Sequence, residues 1–326
     1  LAKAGFTNVQ LVEAQSTPDG NFPTVASPNP EESAALAMAV AQAEATNADL
    51  VIGCDPDTDR VGIAVNDGTG KMQLLNGNDT AALLVHYILN AYKTNGTLPA
   101  NGFTAATVVT TDLIADISAA YGVPCYRCLT GFKWIADIIN NKPEEQFLVG
   151  GEESYGYLIG DDVRDKDAVA SAVMIAEMAA NAKAQGRTVL QQLEAIHREF
   201  GQYQERLISI TKKGRSGAQE IADMMTALRN DPPKTLAGSP VIVAIDHSNS
   251  TQTDLRTGAT SSTELPGSNV LQFITEAGDK VSARPSGTEP KIKFYFSVRT
   301  TTGESHAATK AELERKIDTF IEELNL

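Results

Sequence analysis

The residues best equipped for chemistry lie in "LVIGCDPDTDRVGIAV", where Asp55, Asp57 and Asp59 alternate between two apolar runs. Carboxylates this close repel one another, so the folded arrangement needs a positive partner. An extended segment puts all three on one side, because strand side chains alternate with period two. Converging carboxylate oxygens suit a hard divalent cation, and Mg²⁺ takes few protein ligands alongside a phosphate oxygen. Arg60 follows directly and can neutralise a carboxylate or grip a phosphate through two parallel N–H bonds. A calcium loop of the EF-hand type does not fit. Counted from Asp55, its sixth and twelfth positions hold Arg60 and Asn66, where Gly and Glu are required.

A second centre is "SARPSGTEPKIKFYF". Arg284, Ser286, Gly287 and Thr288 offer a guanidinium, two hydroxyls and backbone N–H groups in one concavity, which is anion-binding chemistry. Lys291, Lys293 and Tyr295 then alternate onto one face of a strand. In "GGEESYGY", Glu152 and Ser154 sit in a glycine-bounded turn, where a carboxylate can accept two vicinal sugar hydroxyls. "TGFKWI" places Lys133 at the start of a helix, where the helix end repels an ammonium and suits it to proton transfer or phosphate binding.

Elements that could position these residues read as follows. Strands are predicted at "NVQLVEA", "ADLVIGCD", "ATVVTT", "PCYRCL" and "QFLVGGEES". Between them lie helices at "NPEESAALAMAVAQAEATN" (opening at Asn29 or Pro30, with Glu31 and Glu32 in its first turn), "GNDTAALLVHYILNAYKTNG", "DLIADISAAYG", "GFKWIADIINN" and "DAVASAVMIAEMAANAKAQG". Alternation of this kind indicates α/β layers. From about Gly201 the pattern turns to antiparallel strands with two flanking helices, an α+β arrangement, and "HSNSTQTDLRTGATSSTELPGS" reads as a surface loop. The expected partition is 1–100, 101–200 and 201–326.

The 326 residues carry a formal net charge of −14, which argues against a nucleic-acid partner. No apolar run approaches the ~20 residues that span a bilayer, so no membrane partner is expected. The three cysteines cannot build a disulfide framework, and a cytoplasmic location is the expectation. Cys125-x-x-Cys128 falls in a predicted strand rather than at the helix N-terminus a redox pair uses.

Taken in order, "DPDTDR", "TGFKW", "GEESYGY…VRDKDAV" and "RPSGTEPKIKFY" resemble the α-D-phosphohexomutase superfamily, most closely its bacterial phosphoglucomutases near the phosphopentomutase-like branch. The resemblance implies two α/β/α units and a last α+β domain of TATA-binding-protein-like fold. The implied activity moves a phosphoryl group between the 1- and 6-positions of a hexose through a phosphoserine and a bisphosphate. It implies Mg²⁺ on Asp55, Asp57 and Asp59 with Arg60 beside them, and sugar contacts from Glu152 and Ser154. Lys133 would be the acid/base or phosphate lysine. Arg284, Ser286, Gly287, Thr288 and Lys293 would clamp the non-reacting phosphate of a phosphosugar. Glucose 1,6-bisphosphate is the implied activator, and phosphomannomutase or phosphopentomutase specificity is the nearest alternative.

One departure is large. The family's serine loop, of "T-A-S-H-N-P" type, has no counterpart here; "VASPNPEE" offers Ser27, but Pro28 stands where a histidine belongs. The chain therefore resembles domains two to four, with the serine domain of the same protein absent, and is expected to be inactive alone. A non-catalytic binding module for phosphosugar and metal is the alternative from another class. A phosphatase of the haloacid dehalogenase type also places Asp-x-Asp after a strand, and Asp161, Asp162 and Asp165 imitate its late acidic motif. Against it, Asp59 stands where Thr or Val belongs.

Overall fold

A computed structural model describes residues 1–212, 214–287, 289–301 and 306–326. They form two compact units, Leu1–Phe200 and Gly201–Leu326.

In the first unit, a one-turn helix α1 (Glu13–Ser16) and helix α2 (Ser33–Thr46) precede an antiparallel meander of β1 (Leu50–Cys54), β2 (Val61–Asn66) and β3 (Met72–Leu75). Helix α3 (Gly77–Thr94) follows, then β4 (Gly102–Thr107), α4 (Leu113–Ala120), β5 (Cys125–Cys128), α5 (Lys133–Asn141), β6 (Gln146–Gly151), β7 (Tyr157–Ile159), α6 (Ala168–Ala184) and α7 (Val189–Phe200). The second sheet runs β5-β4-β6-β7, parallel except for β7. Helix α2 covers one side of the meander, while α6 and α7 also pack against its strands. That covering explains why β2 is apolar at Val61, Ile63, Ala64 and Val65 without alternation: all four are fully buried.

Three expectations are corrected here. Residues 8–14 do not form a strand: among the described strands none pairs with them, and Val9 and Leu11 stay exposed. Residues 8–12 have no neighbouring strand among those described to form a ladder with, and Glu13 and Ala14 already belong to α1. The helix expected to open at Asn29 or Pro30 is α2 and begins at Ser33, because Asn29 Oδ1 accepts the Glu31 N–H at 3.1 Å and turns the chain before the helix. Finally, the strand predicted over 106–111 lies at Gly102–Thr107, where small residues admit a neighbouring backbone. A Cβ on Gly150 would come within 2.2 Å of the Ala105 carbonyl oxygen.

Helix α3 is set by local chemistry. Asn76 Oδ1 accepts the Asp79 N–H at 2.8 Å, while Asn76 Nδ2 donates to Asp79 Oδ2 at 2.9 Å. On its buried side His86 meets the rings of Tyr121 and Phe200 edge-on, with centroids 6.1 and 6.4 Å away. Burial holds this imidazole below its ordinary 6.5, with Glu199 pulling weakly the other way. The neutral form suits the fold, so its contribution is present above about pH 6.5 and lost as pH falls below that value. In urea denaturation, His86→Leu should flatten the stability decline between pH 7 and 5 relative to wild type. An unchanged slope would refute this.

In the second unit, β8 (Gln202–Thr211), α8 (Gly214–Asn230), β9 (Thr235–Leu236), β10 (Ser239–Asp246), β11 (Thr251–Asp254), β12 (Thr260–Ser262), β13 (Leu271–Thr275), β14 (Lys280–Pro285), β15 (Lys291–Thr300) and α9 (His306–Glu323) follow in order. The sheet is antiparallel, ordered β12-β11-β10-β13-β14-β15-β8. Ile292, Phe294, Phe296 and Val298 pack with Ile221 and Met225 of α8 and with Leu313, Ile317 and Phe320 of α9. Strand alternation then leaves Lys291, Lys293 and Tyr295 on the other face, as the spacing predicts. The polar run 247–268 is not all loop: it contains the hairpin of β11 and β12, closed at Asp254, whose Oδ1 accepts the Arg256 N–H at 2.8 Å.

Both cysteines of the C-x-x-C lie on β5, and burial pushes the Cys128 thiol up to about 12. Among the described residues, no helix is long and apolar enough to cross a membrane.

Candidate active site

Strands β1 and β2 pair out to Cys54 and Val61, and residues 55–60 close the hairpin. The three aspartates converge through a turn rather than through strand alternation, which corrects the extended-segment reading. Thr58 takes a left-handed backbone at φ 57°, and its N–H donates to the Asp55 carbonyl at 3.1 Å. Asp55 Oδ1 accepts the N–H groups of Asp59 and Arg60 at 3.0 and 2.9 Å, so one carboxylate oxygen organises the loop. One oxygen from each of Asp55, Asp57 and Asp59 lies within 4.8 Å of the others. Three hard oxygen donors so gathered fit a divalent cation of the Mg²⁺ kind.

Two cations bind this negative charge. Arg60 Nη1 donates to Glu31 Oε1 at 2.6 Å, while its Nε lies 3.6 Å from Asp59 and 3.9 Å from Asp55. Lys166 Nζ sits 2.9 Å from Asp59 Oδ2 and 3.1 Å from Asp165. Partial burial, helped by the carboxylates of Asp59 and Asp57, pushes Asp55 up to about 6. Burial would also raise Asp59, but hydrogen bonds from Lys166 and Asp55 outweigh it and hold Asp59 low. Neither Glu31 nor Lys166 was singled out by sequence spacing. Glu31 lies just before α2 rather than in its first turn, and Lys166 is 106 positions from Arg60, inside the "VRDKDAV" motif.

The turn between β6 and β7 is closed by the Glu152 N–H donating to the Gly156 carbonyl at 2.8 Å, with Tyr155 at φ 68°. Glu152 is buried and its Oε1 accepts the Gly131 N–H at 2.8 Å. That bond joins the 152–156 turn to the segment that opens α5, where Lys133 is the first helical residue. Lys133 is exposed, its Nζ 5.1 Å from the Trp134 ring centroid. Ser154 is half-buried in the same turn. Two backbone bonds tie this region to the aspartate hairpin: Val61 N–H to the Tyr155 carbonyl, and Ala168 N–H to the Thr58 carbonyl, each 3.0 Å. Asp55, Asp57, Asp59, Arg60, Lys133, Glu152 and Ser154 are thus carried on segments linked to one another in the first unit.

In the second unit, the β14–β15 hairpin pairs Arg284 with Lys293 across the ladder. Beyond it the Ser286 N–H donates to the Lys291 carbonyl at 2.7 Å, and Ser286 Oγ accepts the Glu289 N–H at 3.3 Å. Gly287 is exposed, with open space where a side chain would stand, which leaves room for a ligand to approach the backbone. Thr288 lies outside the described residues.

Residues 1–69 match the family model for phosphoglucomutase/phosphomannomutase α/β/α domain II, and residues 76–200 match that for domain III. A probable phosphomannomutase of Haemophilus influenzae is 40% identical over 301 residues, 92% of this chain and 56% of that protein. A phosphoglucomutase of Staphylococcus epidermidis is 38% identical over 299 residues, 91% of this chain and 54% of that protein. The fold is similar to that of a phosphoglucomutase/phosphomannomutase family protein from Burkholderia thailandensis, with TM-score 0.59 and 17% identity over 94% of this chain and 53% of that one. The chain belongs to the phosphoglucomutase/phosphomannomutase superfamily. It spans about half the length of the curated relatives it matches.

Proposed function

We propose that this chain forms the metal-, sugar- and phosphate-binding part of a mutase that converts glucose 1-phosphate to glucose 6-phosphate through a phosphoserine and a bisphosphate. The observation that carries the proposal is the direct backbone linkage of the three-aspartate loop to the Glu152–Ser154 turn. A phosphoryl group and the hydroxyl that receives it must be held in fixed relation, and such linkage provides it.

In this reading Asp55, Asp57 and Asp59 hold Mg²⁺, which supplies charge stabilisation to a phosphoryl group when bound. Arg60, held by Glu31, keeps the loop's excess negative charge in balance. Glu152 and Ser154 orient the sugar hydroxyls, and Lys133 moves the hydroxyl proton. Arg284, Ser286, Gly287, Thr288 and Lys293 grip the phosphate that is not reacting. A sugar phosphate carries one such group in either orientation, so glucose 1,6-bisphosphate fits as intermediate and activator. The nucleophilic serine is placed outside residues 1–326, because Ser27 precedes Pro28 and lacks the His-Asn-Pro context. A soluble phosphosugar substrate accords with a cytoplasmic location.

The test is to supply the chain with Mg²⁺, glucose 1-phosphate and glucose 1,6-bisphosphate, then measure both binding and conversion. Binding without conversion is expected. Turnover with phosphate appearing on Ser27 would overturn the placement of the nucleophile. Release of inorganic phosphate through a phosphorylated Asp55 would replace the mutase by a phosphatase.

A further inference from the structure

Between Glu152 and Ser154 lies a carboxylate with partners of its own. Glu153 Oε2 is 3.1 Å from Thr110 Oγ1 and 3.3 Å from Thr107 Oγ1, and the two hydroxyls are 2.8 Å apart. Both threonines are fully buried, Thr107 as the last residue of β4 and Thr110 in the turn after it. On the main-chain side, a Cβ on Gly77 would lie 1.9 Å from the Glu153 carbonyl oxygen, so α3 abuts the same residue.

We propose that Glu153 is a positioning residue for the sugar: its carboxylate clamps the 152–156 turn to the end of β4. Glu152 and Ser154 are thereby presented in one geometry. The inference rests on the mutase reading of those two residues. A turn that needed only filling could use an apolar side chain, since a partly buried carboxylate pays a desolvation cost. What the carboxylate adds is direction, through two buried hydroxyl donors, Thr107 at the end of β4 and Thr110 in the turn that follows it. Each hydroxyl has a single proton, and the two shorter distances compose a relay in which Thr107 donates to Thr110 and Thr110 to Glu153. Thr110 is then the more important donor.

The chain itself serves for the test, with Glu153→Ala, Glu153→Gln, Thr110→Val and Thr107→Val. Three quantities are read: hydrogen exchange of the Gly131 amide, affinity for glucose 1-phosphate, and affinity for Mg²⁺. Glu153→Ala and Thr110→Val should lower Gly131 protection and glucose 1-phosphate affinity about tenfold each, the scale of one hydrogen bond to a charged group. Thr107→Val should do less, Glu153→Gln should restore both quantities because its amide oxygen still accepts, and Mg²⁺ affinity should hold. Unchanged Gly131 exchange would overturn the clamp. So would a glutamine variant as defective as the alanine one, or an equal loss of Mg²⁺ affinity, which would signal general disorder. If the wild-type chain binds no glucose 1-phosphate, the mutase reading fails by itself. Gly131 exchange still decides the clamp, a fall supporting it and no change refuting it. Should Glu153→Ala fail to fold, Thr110→Val, which keeps the side-chain shape, carries the same readings.

Discussion

Asp57→Ala is expected to weaken Mg²⁺ binding about 100-fold while leaving the stability of the first unit within about 0.5 kcal/mol of wild type. Asp57 is exposed at the tip of the hairpin, so its side chain contributes little burial to the fold. It nevertheless supplies one of three oxygens within 4.8 Å of each other, and loss of a charged ligand from so small a set leaves a weak site. Asp55→Ala should behave differently, because Asp55 Oδ1 also accepts two backbone N–H groups of the loop. Removing that acceptor should destabilise the unit by about 1–2 kcal/mol as well as abolish metal binding. Calorimetric titration with MgCl₂ beside thermal unfolding separates the two variants. Equal Mg²⁺ affinity in Asp57→Ala and wild type would end the assignment of this loop as a metal site.

Gly77→Ala is expected to be among the most damaging single-methyl additions in the chain, costing about 3 kcal/mol. The obstacle is the Glu153 carbonyl oxygen at 1.9 Å from the new methyl, a backbone atom that cannot swing aside. The first turn of α3 cannot retreat either, since the buried Tyr157 hydroxyl donates to the Gly77 carbonyl at 3.0 Å. Gly96→Ala provides the control. It lies past the end of α3 at φ 67° with open space around it, so it incurs only the left-handed backbone penalty of about 1 kcal/mol. Urea unfolding of the two variants should rank them in that order. A Gly77→Ala chain as stable as Gly96→Ala would mean that α3 and the 152–156 turn are not packed as described.

How far the sequence led depended on whether the signal was local. The three aspartates with Arg60, the turn at Glu152 and the pairing face of Lys293 were all legible, because residue type and short spacing define them. The membership of Cys125 and Cys128 in a strand was legible for the same reason. The route by which the aspartates converge was not, since the left-handed Thr58 carries no mark in residue type. Lys166 meets Asp59 only through the return of the chain after β7, a tertiary pairing that spacing cannot express. Val9, Leu11 and Val12 suit a strand, yet a strand also needs a neighbour, and periodicity says nothing about neighbours. Helix α7 carries a local signal in its sequence as well. Thr188 and Gln191 form a reciprocal cap, with Thr188 Oγ1 accepting the Gln191 N–H at 3.2 Å and Gln191 Oε1 accepting the Thr188 N–H at 3.0 Å.

The bonds from Val61 to Tyr155 and from Ala168 to Thr58 have an evolutionary corollary. The family models divide this unit between residues 69 and 76, but that seam in the text of the chain is not a seam in the object. A recombination event that exchanged residues 1–69 with those of a distant relative would import a hairpin whose amide and carbonyl must still find Tyr155 and Ala168. Such chimaeras should survive only when both halves come from parents that share this stitching, so the two segments are inherited as a pair.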